Sequence, residues 1–135
     1  MKIVLDTNVL VAGLLTPGGA CGQVLDLVIE GVIETCVDER ILREYEMVLR
    51  RPRLAIPPGD ARTVLDIIRR TAEPVAAVPL PADLPDKDDV PFLEVAAAAR
   101  AILVTGNLRH FPKKTCKDVR LLGPAGLLDL LRRSV

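Results

Sequence analysis

The residues of this 135-residue chain that could do chemistry are mostly carboxylates. Asp6 ends the apolar run Ile3-Val4-Leu5, Asp86, Asp88 and Asp89 crowd the positions before Phe92-Leu93-Glu94, and Asn107 closes Ile102-Leu103-Val104-Thr105-Gly106. Glu44 and Glu46 lie between these clusters, on a segment with helical spacing. There is one histidine, His110, and the three cysteines (Cys21, Cys36, Cys116) form no CxxC pair, so neither a zinc site nor a disulfide framework is indicated. Oxygen donors without nitrogen or sulfur partners suit a hard cation such as Mg²⁺ or Mn²⁺. Two such ions about 3.5–4 Å apart support phosphodiester cleavage, so the residues point to a metal-dependent nuclease or phosphatase.

Each feature also has a plainer reading. Asp6-Thr7-Asn8 offers three cap-type residues in a row at a strand-to-helix turn. A helix start attracts carboxylates for capping and dipole reasons, which covers one of Asp86, Asp88 and Asp89. It does not cover three, which repel one another unless a cation is near. On a helix from Glu39, Glu44 and Glu46 fall on opposite flanks of the apolar stripe, each about 100° from its centre, and spacing does not choose between them. Asn107 in Gly-Asn is equally a turn residue.

These side chains need elements to hold them. Ile3-Val4-Leu5 and Ile102-Leu103-Val104 read as strands buried on both faces, as a parallel sheet requires. Further strands are expected at 32–37 and around 119–122. Helices are expected where Cys21, Val24, Leu25, Val28 and Ile29 recur, with Gly31 as C-cap. Others should run from Glu39 to about Arg50 behind an Asp38 cap, from Pro57-Pro58-Gly59-Asp60, over the alanine run after Phe92, and from Pro124 to Leu131. The proline-punctuated stretch 74–85 reads as an extended connection within the domain. Strands alternating with helices imply right-handed βαβ units and a parallel sheet covered on both sides, with function beyond the carboxyl ends of its strands.

Composition agrees with one domain over 1–135. Half of the residues are hydrophobic, 27% are charged, and 18 basic side chains balance 18 acidic ones. Such a chain can bury roughly two-thirds of its unfolded surface. With two Phe, one Tyr and no Trp, the core must be aliphatic, and aromatic base-stacking modules are disfavoured. Zero net charge argues against a strongly basic nucleic-acid coat, though a local basic groove is compatible with it. Lys2 and Gly-Gly-Ala-Cys at 18–21 superficially suggest an export signal, but Asp6 and Asn8 interrupt its apolar region. No run approaches the ~18 residues of a membrane span. A reduced, cytoplasmic location with no membrane attachment is the expectation.

At this point the motifs resemble a known family, the PIN-domain ribonucleases, and within it the VapC-like toxins of bacterial toxin–antitoxin pairs. Ile3-Val4-Leu5-Asp6-Thr7-Asn8-Val9-Leu10 resembles the family's hydrophobic strand followed by Asp-Thr-Asn. Asp86-Lys87-Asp88-Asp89 with Phe92-Leu93-Glu94 is similar to its second acidic motif, and Leu103 to Asn107 through His110-Phe111-Pro112 to its Thr-x-Asp/Asn motif. The resemblance runs in register from residue 2 to about 125. It implies a three-layer α/β/α fold with a central parallel sheet of about five strands, and an acidic pocket for Mg²⁺ or Mn²⁺.

Carried over by residue, the resemblance makes Asp6, Glu44 and Asp89 the catalytic, metal-holding acids, choosing Glu44 over Glu46. Asp86 and Asn107 would be further ligands, while Thr7, Asn8, Asp88 and Thr105 would support the ligands by hydrogen bonds. Asn107 stands where many members carry a fourth aspartate. It keeps a carbonyl donor but removes one charge, which weighs against a second tightly held ion. RNA would meet Arg109, His110, Lys113 and Lys114, and Arg40 or Arg43, each of which is otherwise an ordinary solvated cation. An antitoxin partner and a homodimer follow from the resemblance alone.

Two rivals remain at this level. A non-cutting PIN-fold protein that binds RNA or a partner is motivated by Asn107 and by the neutral charge. A haloacid-dehalogenase-like phosphatase also ends its first strand in Asp, but here Asn8 replaces the second aspartate of its Asp-x-Asp motif.

Overall fold

The computed structural model describes residues 1–116 and 118–133. Ile3, Val4 and Leu5 carry branched side chains on both faces of the backbone, and all three are buried in strand β1 (Lys2–Leu5). Helices α1 (Thr7–Leu15) and α2 (Ala20–Ile29) follow, then β2 (Glu34–Val37), α3 (Glu39–Leu49) and α4 (Pro58–Thr71). Strand β3 (Glu73–Pro74) precedes a long connection, a 3₁₀ turn (Lys87–Asp89) and α5 (Val90–Ala99). The chain then runs through β4 (Ile102–Val104), a 3₁₀ turn (Leu108–His110), β5 (Leu121–Leu122) and α6 (Pro124–Arg133).

The five strands form one sheet in the order β3-β2-β1-β4-β5, every pair parallel. Among the described residues six helices flank it, giving the three-layer α/β/α architecture. Because β1 is central, the chain leaves it towards β2 on one side and returns as β4 on the other. The register pairs Leu5 with Val104, so the next residues, Asp6 and Thr105, emerge side by side at the topological switch point.

Three local differences from the sequence expectation have physical causes. The second strand begins at Glu34 and not at 32, because the amides of Val32 and Ile33 bond to the Leu27 carbonyl and close the end of α2. Gly31 has φ +78°, the left-handed geometry its capping position requires. The third strand lies where only a connection was expected. Pro74 lacks a donor, which an edge strand tolerates, and Val75 then donates to the Val37 carbonyl at 2.9 Å. The last strand shrinks to Leu121–Leu122.

The core is aliphatic around three buried aromatics, with the Tyr45 and Phe92 rings 6.3 Å apart. The turn at Pro17 folds back onto the start of α2 because residue 22 is glycine, where a Cβ would lie 2.0 Å from the Pro17 carbonyl oxygen, and α1 approaches α2 at Gly13, where a Cβ would lie 3.0 Å from the Cys21 carbonyl oxygen. Among the described residues no single helix is long and apolar enough to cross a membrane.

Candidate active site

Asp6 continues β1 by one residue, its amide donating to the Val104 carbonyl at 2.9 Å. Although Asp6 precedes α1, its side chain makes no capping bond to that helix. It is only 5% exposed, and Oδ2 accepts a 2.7 Å bond from the Thr105 hydroxyl. Thr105 is fully buried, and its hydroxyl also accepts from the Asn107 amide at 3.0 Å. Asn8 fastens the same corner, its Oδ1 accepting from the Gly106 amide at 3.2 Å.

The second acid is delivered by α3. Asp38 caps this helix by accepting from the Ile41 amide at 3.0 Å. One turn further on, the buried Tyr45 hydroxyl donates to the Leu5 carbonyl at 2.5 Å, which pins α3 against the end of β1. That bond turns the adjacent Glu44 towards Asp6, where it accepts from the Thr7 hydroxyl. The Thr7 hydroxyl therefore supports Glu44, while its backbone amide favours the charged form of Asp6. Glu46, on the other flank, bonds Arg50 and Arg69.

The third acid comes from the 3₁₀ turn before α5. Asp86 caps the turn, accepting from the Asp88 amide at 2.9 Å, and both of these aspartates are exposed. Asp89 is buried, and its Oδ2 lies 2.9 Å from His110 Nδ1. His110 Nε2 lies 2.8 Å from Asn107 Nδ2. With the amide nitrogen donating, Nε2 is the acceptor and the ring proton sits on Nδ1, facing Asp89. Asn107 thus enters the site through His110.

Asp6, Glu44, Asp86, Asp88, Asp89 and His110 line one cleft of about 450 Å³, with Val11, Leu15, Val48 and Leu54 as its apolar wall. Burial is the main force on each of the three carboxylates, and it raises their proton affinities. Asp6 is raised by burial, against the opposing Thr105 hydroxyl and Thr7 amide. Glu44 is raised by burial, against the Thr7 hydroxyl and with the charges of Asp6, Asp88 and Asp86 adding to it. Asp89 is pushed from 3.8 to about 6 by burial and then by the charges of Asp6 and Asp86. Desolvated, mutually repelling oxygen donors of this kind fit a hard divalent cation. Asp86, Asp89 and His110 also offer ligand atoms within 4.8 Å of one another.

Of the cationic residues expected to meet RNA, His110 lines the cleft and the others lie outside its lining. Arg40 donates to the buried Glu94 at 2.7 Å and pairs with Asp38 at 2.8 Å, so both faces of its guanidinium serve the fold. Arg43, Arg109, Lys113 and Lys114 are exposed and lie outside the cleft lining. Arg51 and Arg53 do line it. Arg51 lies just past the expected end of the helix from Glu39 to about Arg50. The spacing of Glu44, Val48 and Arg51, i, i+4 and i+7, would put all three on one face of a helix that ran on to Arg51, whereas α3 ends at Leu49 and Arg51 is extended.

The PIN domain family model matches residues 2–109. An uncharacterized protein of Methanocaldococcus jannaschii is 32% identical over 111 residues, covering 79% of this chain and 71% of its own. Among solved structures, VapBC2 from Rickettsia felis, bound to a DNA fragment from their promoter, has a chain that superposes with a TM-score of 0.59. That alignment is 17% identical and covers 91% of this chain and 98% of the other.

Proposed function

The chain belongs to the PIN domain family, and from that premise we propose that it is a Mg²⁺- or Mn²⁺-dependent endoribonuclease, the toxin of a toxin–antitoxin pair. The observation that carries the reading is Asp6. A carboxylate 5% exposed at a strand end, bonded to Thr105 instead of capping its helix and facing Glu44 and Asp89, has no structural role that justifies the desolvation of its charge.

Asp6, Glu44 and Asp89 would hold the cation, with Asp86 at the exposed edge of the set. A bound divalent ion supplies polarisation of water and neutralisation of charge on the phosphate. The chain's own residues do the positioning. Thr105 fixes the rotamer of Asp6, Thr7 that of Glu44, and the Asn107-His110 pair that of Asp89. Arg51 and Arg53 face the same cleft and would bind non-bridging phosphate oxygens, while Val11, Val48 and Leu54 limit water at the reacting centre.

Motif resemblance and likeness of fold to a VapBC2 chain support an antitoxin protein as partner. The reading is tested by incubating single-stranded RNA with the protein in Mn²⁺ or Mg²⁺, in EDTA, and with Asp6→Asn. Cleavage that falls at least 100-fold in both controls is expected; removal of one supporting hydrogen bond alone costs 10–100-fold at metal sites. Activity that survives both controls would sink the metal–carboxylate mechanism. Metal binding without cleavage of any RNA would favour the non-cutting, binding role that Asn107 motivates.

A further inference from the structure

Beside the acidic cleft, the end of α3, the turn after it and the face of α4 enclose a second pocket of about 360 Å³. Its rim carries Arg50, Arg51, Arg62 and Arg69 against two acids, Glu46 and Asp66. One carboxylate, Glu46, holds two of the guanidiniums, Arg50 at 2.9 Å and Arg69 at 3.0 Å. Among the described residues the side chains of Arg51 and Arg62 make no hydrogen bond or ion pair. Apolar side chains of Leu49, Ile56 and Leu65 form the floor.

On a chain with no net charge, four guanidiniums here face two acids, a local excess of positive charge that attracts an anion. Arg51 lines both this pocket and the acidic cleft, so the two adjoin at its side chain. A ligand that runs from one to the other must offer negative charge to guanidiniums along its length and tolerate a cation-holding acid site at one point. A phosphodiester strand does both. Guanidiniums also take phosphate in bidentate fashion, and an apolar floor accepts a base.

We propose that this arginine pocket binds the single-stranded RNA that flanks the scissile phosphate, a reading that rests on the nuclease proposed above. Arg51 and Arg62 each hold a phosphate, and Arg53 continues the track across the cleft. Arg50 and Arg69 remain partly committed to Glu46 and supply background charge. The strand therefore leaves the metal site along α3 towards α4.

The test is the salt dependence of binding, read by fluorescence anisotropy of a labelled oligouridylate on Asp6→Asn protein, where cleavage does not interfere. Adding Arg51→Ala and Arg62→Ala is expected to lower the slope of log K against log salt by about 1.4, at roughly 0.7 per phosphate on a single strand. Affinity should fall roughly 10-fold near 0.1 M salt, and Arg51→Lys with Arg62→Lys should restore most of the slope. Should the alanine pair disturb folding, Arg62→Ala alone, at an exposed site on α4, is expected to lower the slope by about 0.7. Slope and affinity equal to those of the Asp6→Asn parent would overturn the proposal, leaving an acidic protein segment as the pocket's ligand. RNA cleavage by wild type with unchanged binding in the arginine variants overturns this inference alone. Absence of RNA binding by wild type at any salt overturns the nuclease reading with it.

Discussion

Asp89→Asn should stabilise the metal-free protein and destabilise the metal-loaded one. Burial and the charges of Asp6 and Asp86 raise the Asp89 carboxyl from 3.8 to about 6. At 1.36 kcal/mol per pH unit, ionising it in the fold costs about 3 kcal/mol, and screening by water at the open mouth reduces this to roughly 1.5 kcal/mol. The folded carboxyl holds its proton more tightly than the unfolded one. Its contribution is therefore neutral below about pH 4, becomes destabilising between pH 4 and 6, and stays at its full unfavourable value above pH 6. Asparagine is never ionised and can still accept from His110 Nδ1. In EDTA at pH 7 the variant should melt about 5 °C above wild type, using roughly 2.1 cal/mol/K per residue for the unfolding entropy. The gap should close as pH falls to 4. With Mn²⁺ at about 100 times its dissociation constant, wild type gains about 2.7 kcal/mol that the variant largely loses, and the order reverses. Thermal unfolding in EDTA and in Mn²⁺ at both pH values reads all of this. A variant less stable than wild type in EDTA at pH 7, or an advantage unchanged at pH 4, would refute the reasoning.

Further substitutions test separate parts of the account. Thr105→Val removes the hydroxyl that holds Asp6 and takes the Asn107 amide, and should weaken Mn²⁺ affinity by calorimetry 10–100-fold while the fold persists by circular dichroism. Thr35→Val replaces a buried hydroxyl with no partner among the described residues, and should raise stability in urea by about 1 kcal/mol. Gly22→Ala sets a methyl against the Pro17 carbonyl and should cost about 1–3 kcal/mol in the same assay, since backbone is what it strikes.

The central strands and the corner they share were legible because their signal is local. Ile3-Val4-Leu5-Asp6 and Ile102 to Asn107 each carry an apolar run and a polar stop in consecutive residues, and the parallel sheet brings the two stops together. What escaped depends on distant partners. β3 is two residues long and exists only because β2 offers an edge. The choice of Glu44 over Glu46 is made by the Tyr45 hydroxyl reaching the Leu5 carbonyl, forty positions away in the chain. Arg40 looked available in sequence and is consumed by Glu94, whereas Arg51, which no motif singles out, faces the cleft. A zero net charge hid this segregation, acids on one side of Arg51 and guanidiniums on the other.

The most direct test of the central claim is an anomalous-scattering map from crystals equilibrated with Mn²⁺. A manganese peak is expected with carboxylate oxygens of Asp6, Glu44 and Asp89 within about 2.0–2.6 Å or one water beyond. No peak in the cleft at saturating Mn²⁺, or a peak held by Asp86, Asp89 and His110 without Asp6, would contradict it.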